Sequence, residues 1–161
     1  MDALAYACKY GHVGVVAVLV EAGAKLTGRS GDNGTRPLGF AATYGHYAVA
    51  EFLLDQKARA NSHDNFRRTS LHLACRNGHA EIASLLLQRC ARINEPDSHN
   101  LTPLHYAAAY GWSEIVSMLL KLDADTTLAL NGQTALEVAV LKQHYSCVKL
   151  FLEETEVNVN A

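Results

Sequence analysis

Apolar residues fall at three-and-four spacing in short, separated segments: Ile82, Leu85 and Leu86 in one, Ile115, Met118 and Leu119 in another. That spacing lays one apolar stripe along an α-helix. Each such segment follows another whose centre is a small pair, Ala41-Ala42, Ala74-Cys75 or Ala107-Ala108, with a glycine just beyond. Polar stretches such as Asn61-Ser62-His63-Asp64-Asn65 separate one pair of segments from the next and read as hairpin turns. The pattern predicts five antiparallel helix pairs, with helices near 3–11, 13–22, 36–44, 46–56, 69–77, 79–89, 102–110, 112–121, 134–142 and 144–153.

The pairs also repeat in register. Gly11, Gly45, Gly78 and Gly111 follow one another at intervals of 34, 33 and 33 residues. Thr69-Ser70-Leu71-His72-Leu73-Ala74-Cys75-Arg76-Asn77-Gly78-His79 aligns with Thr102-Pro103-Leu104-His105-Tyr106-Ala107-Ala108-Ala109-Tyr110-Gly111-Trp112, and Arg36 to His46 and Thr134 to His144 fit the same frame. A period of this length marks stacked repeats rather than one central core. The fingerprint T-P-L-H-x-A resembles that of the ankyrin repeat. The resemblance covers all 161 residues as one domain of five units, about 1–33, 34–66, 67–99, 100–131 and 132–161. It implies an all-α solenoid of stacked helix-turn-helix units with hairpin loops, each unit stable only against its neighbours.

Local chemistry explains the motif. Thr69 and Thr102 stand where a helix N-cap is needed, and Pro37 and Pro103 follow where a missing N–H costs nothing. The small pairs let neighbouring helices approach, so Leu71, Ala74, Leu104 and Ala107 are expected between units. The glycines suit a left-handed helix end.

Composition narrows function by exclusion. No apolar run reaches transmembrane length, the longest candidate being Val13 to Val20. Cys8, Cys75, Cys90 and Cys147 show no paired spacing, which reads as reduced packing cysteines in a cytoplasmic or nuclear chain. Six of eight histidines occupy repeat slots: His12, His46, His79 and His144 after the glycine position, and His72 and His105 in the motif slot that, by the resemblance, ties the turns between repeats. His63 and His99 lie in fingers without cysteine or carboxylate at ligand spacing, so no metal and no cofactor are expected. With no nucleophile elbow, phosphate loop or kinase signature, no catalytic residue is assigned.

The expectation is a non-enzymatic, monomeric scaffold for a protein or peptide partner, docked where the resemblance places partners, on a concave groove of inner helices and fingers. One inner-helix slot reads Tyr10, Tyr44, Asn77, Tyr110 and Lys142, the next Lys9, Thr43, Arg76, Ala109 and Leu141. Tyrosine favours interface hot spots. The candidate surface is therefore Tyr10, Tyr44, Arg76, Asn77 and Tyr110, with Phe66, Arg67 and His99 on the fingers.

Charge adds two alternatives. Residues 57–92 hold seven lysines and arginines against two acids, whereas residues 95–161 hold three lysines against nine acids. The basic middle, around Arg67, Arg68 and Arg76, suggests a nucleic acid or acidic lipid. The net charge of −2 and the lack of a continuous basic stripe disfavour nucleic acid. The chain also fits the recognition domain of a larger enzyme or channel.

Departures from the pattern are local. Gly39 replaces the motif histidine in the second unit, Arg67 takes the usual hairpin glycine, and the fifth unit loses both histidine and glycine. Neither end shows the polar outer face a terminal unit needs, so flanking sequence is expected. Glu156-Val157-Asn158-Val159-Asn160 reads as the opening of a further finger. The resemblance also brings in an asparaginyl hydroxylase that favours a leucine eight residues before its target. Leu150 with Glu156-Val157-Asn158 fits fully, and Leu86 with Arg92-Ile93-Asn94 lacks the acid, so Asn158 and then Asn94 are candidates. The structural alternative is that each asparagine bonds its own turn.

Overall fold

A computed structural model describes the backbone of residues 2–130 and 132–159, and the side chains of residues 2–129 and 132–153. Five helix pairs follow one another: α1 (Ala3–Lys9) with α2 (Val13–Glu21), α3 (Pro37–Tyr44) with α4 (Tyr47–Asp55), α5 (Ser70–Asn77) with α6 (Ala80–Gln88), α7 (Pro103–Tyr110) with α8 (Ser113–Lys121), and α9 (Ala135–Leu141) with α10 (Tyr145–Val159). The first nine lie within two residues of the ranges the apolar pattern predicts. The tenth runs six residues further, so 156–159 continue a helix where the sequence suggested another finger. Among the described residues the strands are β1 (Ala129–Leu130) and β2 (Gln133–Thr134), a two-residue ladder in the last finger.

One buried layer runs through the stack. Leu4, Leu38, Leu71 and Leu104 lie in the first helices, with Ala41, Ala74 and Ala107 beside them, all sealed from solvent as the repeat register requires. Because small pairs face small pairs, α1, α3, α5, α7 and α9 approach one another more closely than α2, α4, α6 and α8 do. Close spacing on one side and wide spacing on the other curves a stack, with the first helices inside.

The glycine at the end of each first helix does two things. Gly45, Gly78 and Gly111 are left-handed, with φ of 79°, 80° and 74°, which the sequence predicts. The second role was not visible one unit at a time: the ring of the next unit lies on the bare Cα. A Cβ on Gly45 would sit 2.6 Å from the His79 ring, and one on Gly78 2.7 Å from Trp112. The same rings reach the backbone two residues earlier: Trp112 Nε1 donates to the Arg76 carbonyl at 3.0 Å, His79 Nε2 meets that of Thr43 at 3.1 Å, and His46 and His144 repeat the contact. In the fifth unit the slot holds Gln143, left-handed with φ of 59° although it carries a Cβ.

Candidate functional site

The fingers are built by two buried aspartates. Asp64 Oδ1 accepts the amides of Phe66 and Arg68 at 2.9 and 3.0 Å, while Oδ2 takes both Nε and Nη2 of Arg68 at 2.9 and 2.7 Å. Asp97 repeats this with the amides of His99 and Leu101, and its Oδ2 accepts the Tyr106 hydroxyl at 2.8 Å. Burial, and then Asp97, drive the Tyr106 phenol well above its ordinary range. Backbone bonds join finger to finger, Asn65 to the Asn33 carbonyl and Ser98 to that of Phe66, both at 2.9 Å. Phe66, Arg67 and His99 therefore stand exposed on a braced row of turns. Arg67 has φ of 58°, a conformation that suits glycine, as its slot implied.

The motif histidines tie their own units internally, and His72 also reaches outward. His72 Nδ1 lies 3.0 Å from the Thr69 amide and 2.8 Å from its hydroxyl, and Nε2 donates to the Leu101 carbonyl of the next finger at 3.1 Å. The threonine hydroxyl faces the third helical amide, as its N-cap place implied, and meets the histidine ring as well. Burial lowers the His72 pKa. In the second unit, which has Gly39 in this slot, Arg36 crosses instead, its Nε donating to the His63 carbonyl at 3.3 Å. In the fifth, Glu137 keeps only the internal half, accepting the Thr134 amide at 2.6 Å, a bond that lowers its pKa.

Along the inner helices, aromatic rings and cations interleave. Lys9 Nζ lies 5.4 Å from the ring centroids of both Tyr10 and Tyr44. Arg76 stacks over Tyr110 at 5.8 Å and donates from Nε to its hydroxyl at 3.2 Å. Tyr10, Tyr44 and Tyr110 are 55%, 46% and 48% exposed, and Arg76 is half-buried. Between this row and the fingers is a depression of about 280 Å³, lined by Tyr44, Arg76, Asn77, Phe40 and Arg68 among others. Asn77 contributes its position more than its amide, which bonds back to the Leu73 carbonyl at 2.8 Å. Lys9 belongs to this row although the sequence did not single it out; its signal was its place beside the tyrosine slot.

The structure does not gather the basic residues where the sequence suggested. Arg68 is spent on Asp64 and also lies over Phe66, Arg76 is engaged by Tyr110, and Arg67 alone of the three points free of these partners. Asn94 does not bond its own turn: its Oδ1 accepts the Asp125 amide of the next unit at 3.0 Å, as Asn61 accepts that of Arg92 at 2.8 Å. The Asn158 side chain lies outside the described residues. Cys8, Cys75 and Cys147 are buried, and burial raises the thiol pKa, to about 12 for Cys8. No group of three or more histidine, cysteine or acidic side chains among the described residues is placed to hold a metal. No helix there is long and apolar enough to cross a membrane.

A family model of ankyrin repeats, three copies in length, matches residues 1–64, 56–129 and 93–161. A comparison with curated proteins gave no match. The matches span the chain, and the chain belongs to the ankyrin-repeat family.

Proposed function

We propose that this ankyrin-repeat chain is a non-enzymatic scaffold that binds one partner protein or peptide along its inner helices and fingers. Ankyrin repeats are generally protein–protein interaction modules. The observation that carries the finer reading is the exposed row of Tyr10, Tyr44 and Tyr110 with Lys9 and Arg76 set between the rings. Rigid aromatic rings provide contact area at low entropic cost, and the cations held over them select acidic or carbonyl-rich groups on a docked segment. In this reading Phe66, Arg67 and His99, exposed on the braced fingers, give the partner a second set of contacts.

The test begins with capture of partners by the intact chain and their identification by mass spectrometry. Tyr44→Ala combined with Tyr110→Ala should then weaken the identified partner by about 2 kcal/mol or more, with the helical circular-dichroism signal unchanged. An unaltered affinity in that variant would move the site off the inner helices. A salt titration separates this reading from polyanion binding, whose affinity falls steeply with ionic strength.

A further inference from the structure

A second cleft opens away from the tyrosine row and shares no lining residue with the depression beside Tyr44. Its volume is about 800 Å³, and Arg36, Lys57, Arg59, His63 and Arg89 line it, with no carboxylate among the lining residues. These five come from separate places: the N-cap of α3, the turn after α4, the second finger and the end of α6. The sequence scatters them; folding of the second unit brings the first four together, and stacking the third unit on it adds Arg89.

The cations differ in how they are held. Arg89 is already paired with Asp55 at 2.8 Å. Arg36 is fixed by two carbonyls, Nη1 donating to Thr27 at 2.6 Å and Nε to His63 at 3.3 Å, which leaves Nη2 to donate elsewhere. Lys57 and Arg59 have no ion-pair partner among the described residues. Burial lowers the Arg36 pKa, and the nearby charges of Arg29 and Arg59 add to that effect, so Arg36, Lys57 and Arg59 share one region in which only Arg89 is matched by a carboxylate. An oriented guanidinium beside two unpaired cations matches a dianion, and a phosphoryl group offers the oxygens for several such donors at once.

We propose that this cleft binds a phosphorylated serine or threonine of a partner protein, the phosphoryl group lying among Arg36, Lys57 and Arg59. A free ion would fill a small part of the volume, whereas an extended segment can rest its flanking residues on Leu54, Ala58 and Ala60 in the wall. The site adds an electrostatic foothold that shares no residue with the tyrosine row, so the two can fail separately.

The test uses the intact chain and two labelled peptide pools with randomised flanks, one carrying a central phosphoserine and the other serine. The phosphorylated pool should bind at least tenfold more tightly at low salt, and inorganic phosphate should compete. Lys57→Gln with Arg59→Gln removes two charges that make no ion pair among the described residues, and should cost tenfold or more with unchanged helicity. Arg92→Gln, a cation paired with Glu95 outside the cleft, should stay within twofold. Equal binding of both pools, or an equal loss in Arg92→Gln, overturns the proposal. Binding to phosphatidylcholine vesicles only when they carry phosphatidylinositol bisphosphate, with no peptide preference, overturns the protein source in favour of a lipid headgroup. The Tyr44→Ala, Tyr110→Ala variant should bind the phosphorylated pool normally, which separates failure here from failure of the inner-helix reading.

Discussion

The junction between the third and fourth units and the junction between the fourth and fifth start from the same motif and end differently. At the first, His72 reaches the Leu101 carbonyl, and Asp97 locks the finger that presents it. At the second, His105 Nδ1 still meets Thr102, but Nε2 is buried with no hydrogen-bond partner, the one such side-chain atom among the described residues. The carbonyls of Gln133 and Leu128 act on the ring without reaching bonding geometry, and burial still holds its pKa low. The cause lies in the opposite finger, where Ala129 fills the aspartate slot and a short β-ladder replaces the aspartate-locked turn. A motif histidine therefore does its outward work only when the next unit supplies a braced carbonyl. The last junction is instead closed by helix packing, α10 meeting α8 more extensively than α6 does.

The largest test asks whether the apolar layer is the same at both junctions. Leu71 and Leu104 are both fully buried, so Leu71→Ala and Leu104→Ala should each cost about 2–5 kcal/mol. Urea melts read at constant slope would show it. A loss under about half a kilocalorie for Leu104 alone would mean that the last junction lacks the packing as well as the tie.

The next test isolates the tie. His72→Ala and His105→Ala empty similar volumes, but only the first breaks a bond to the next finger. His72→Ala should therefore cost about 1 kcal/mol more, and equal losses would contradict the contrast between the junctions.

Acid titration sharpens the same point. Both folded histidines have pKa values below the ordinary 6.5, because burial disfavours the imidazolium. As pH falls below about 6.5 the unfolded chain takes these protons first, so stability is full above that value and declines toward the lowered folded values. The urea midpoint should drop between pH 7 and pH 5.5, less steeply in the His72→Ala variant. A flat profile would show that neither ring is held neutral.

These contrasts also show where the sequence was informative. Helix pairs, capping prolines and the buried Leu71 and Leu104 were legible because periodicity and propensity are local to each unit. The tyrosine slot was legible because the register lines up Tyr10, Tyr44 and Tyr110. The ring of Trp112 on Gly78 and the Asn94 bond to the next loop were not, because each joins residues about one repeat apart, and the cleft at Lys57 was not, because it sets the turn after α4 beside the start of α3. Reading one unit at a time cannot show which carbonyl, glycine or charge the neighbouring unit will present.

The smallest effect concerns two fingers on either side of the well-tied junction. Arg67 and Asn100 hold the same left-handed slot, with φ of 58° and 61°. A non-glycine residue there costs roughly 1–2 kcal/mol, but asparagine tolerates the region better because its short side chain bonds locally. Glycine relieves that strain and gives back about 0.5–1 kcal/mol through its freer unfolded chain. Arg67→Gly should therefore stabilise by about 0.5–1 kcal/mol, and Asn100→Gly by less. The order matters more than the size. If Asn100→Gly gained more, backbone strain would not be what separates the fingers, and Arg67 would have to be making a stabilising contact that glycine loses. If Arg67→Gly is more stable yet binds the partner more weakly, the chain keeps a strained arginine on its finger for recognition rather than for folding.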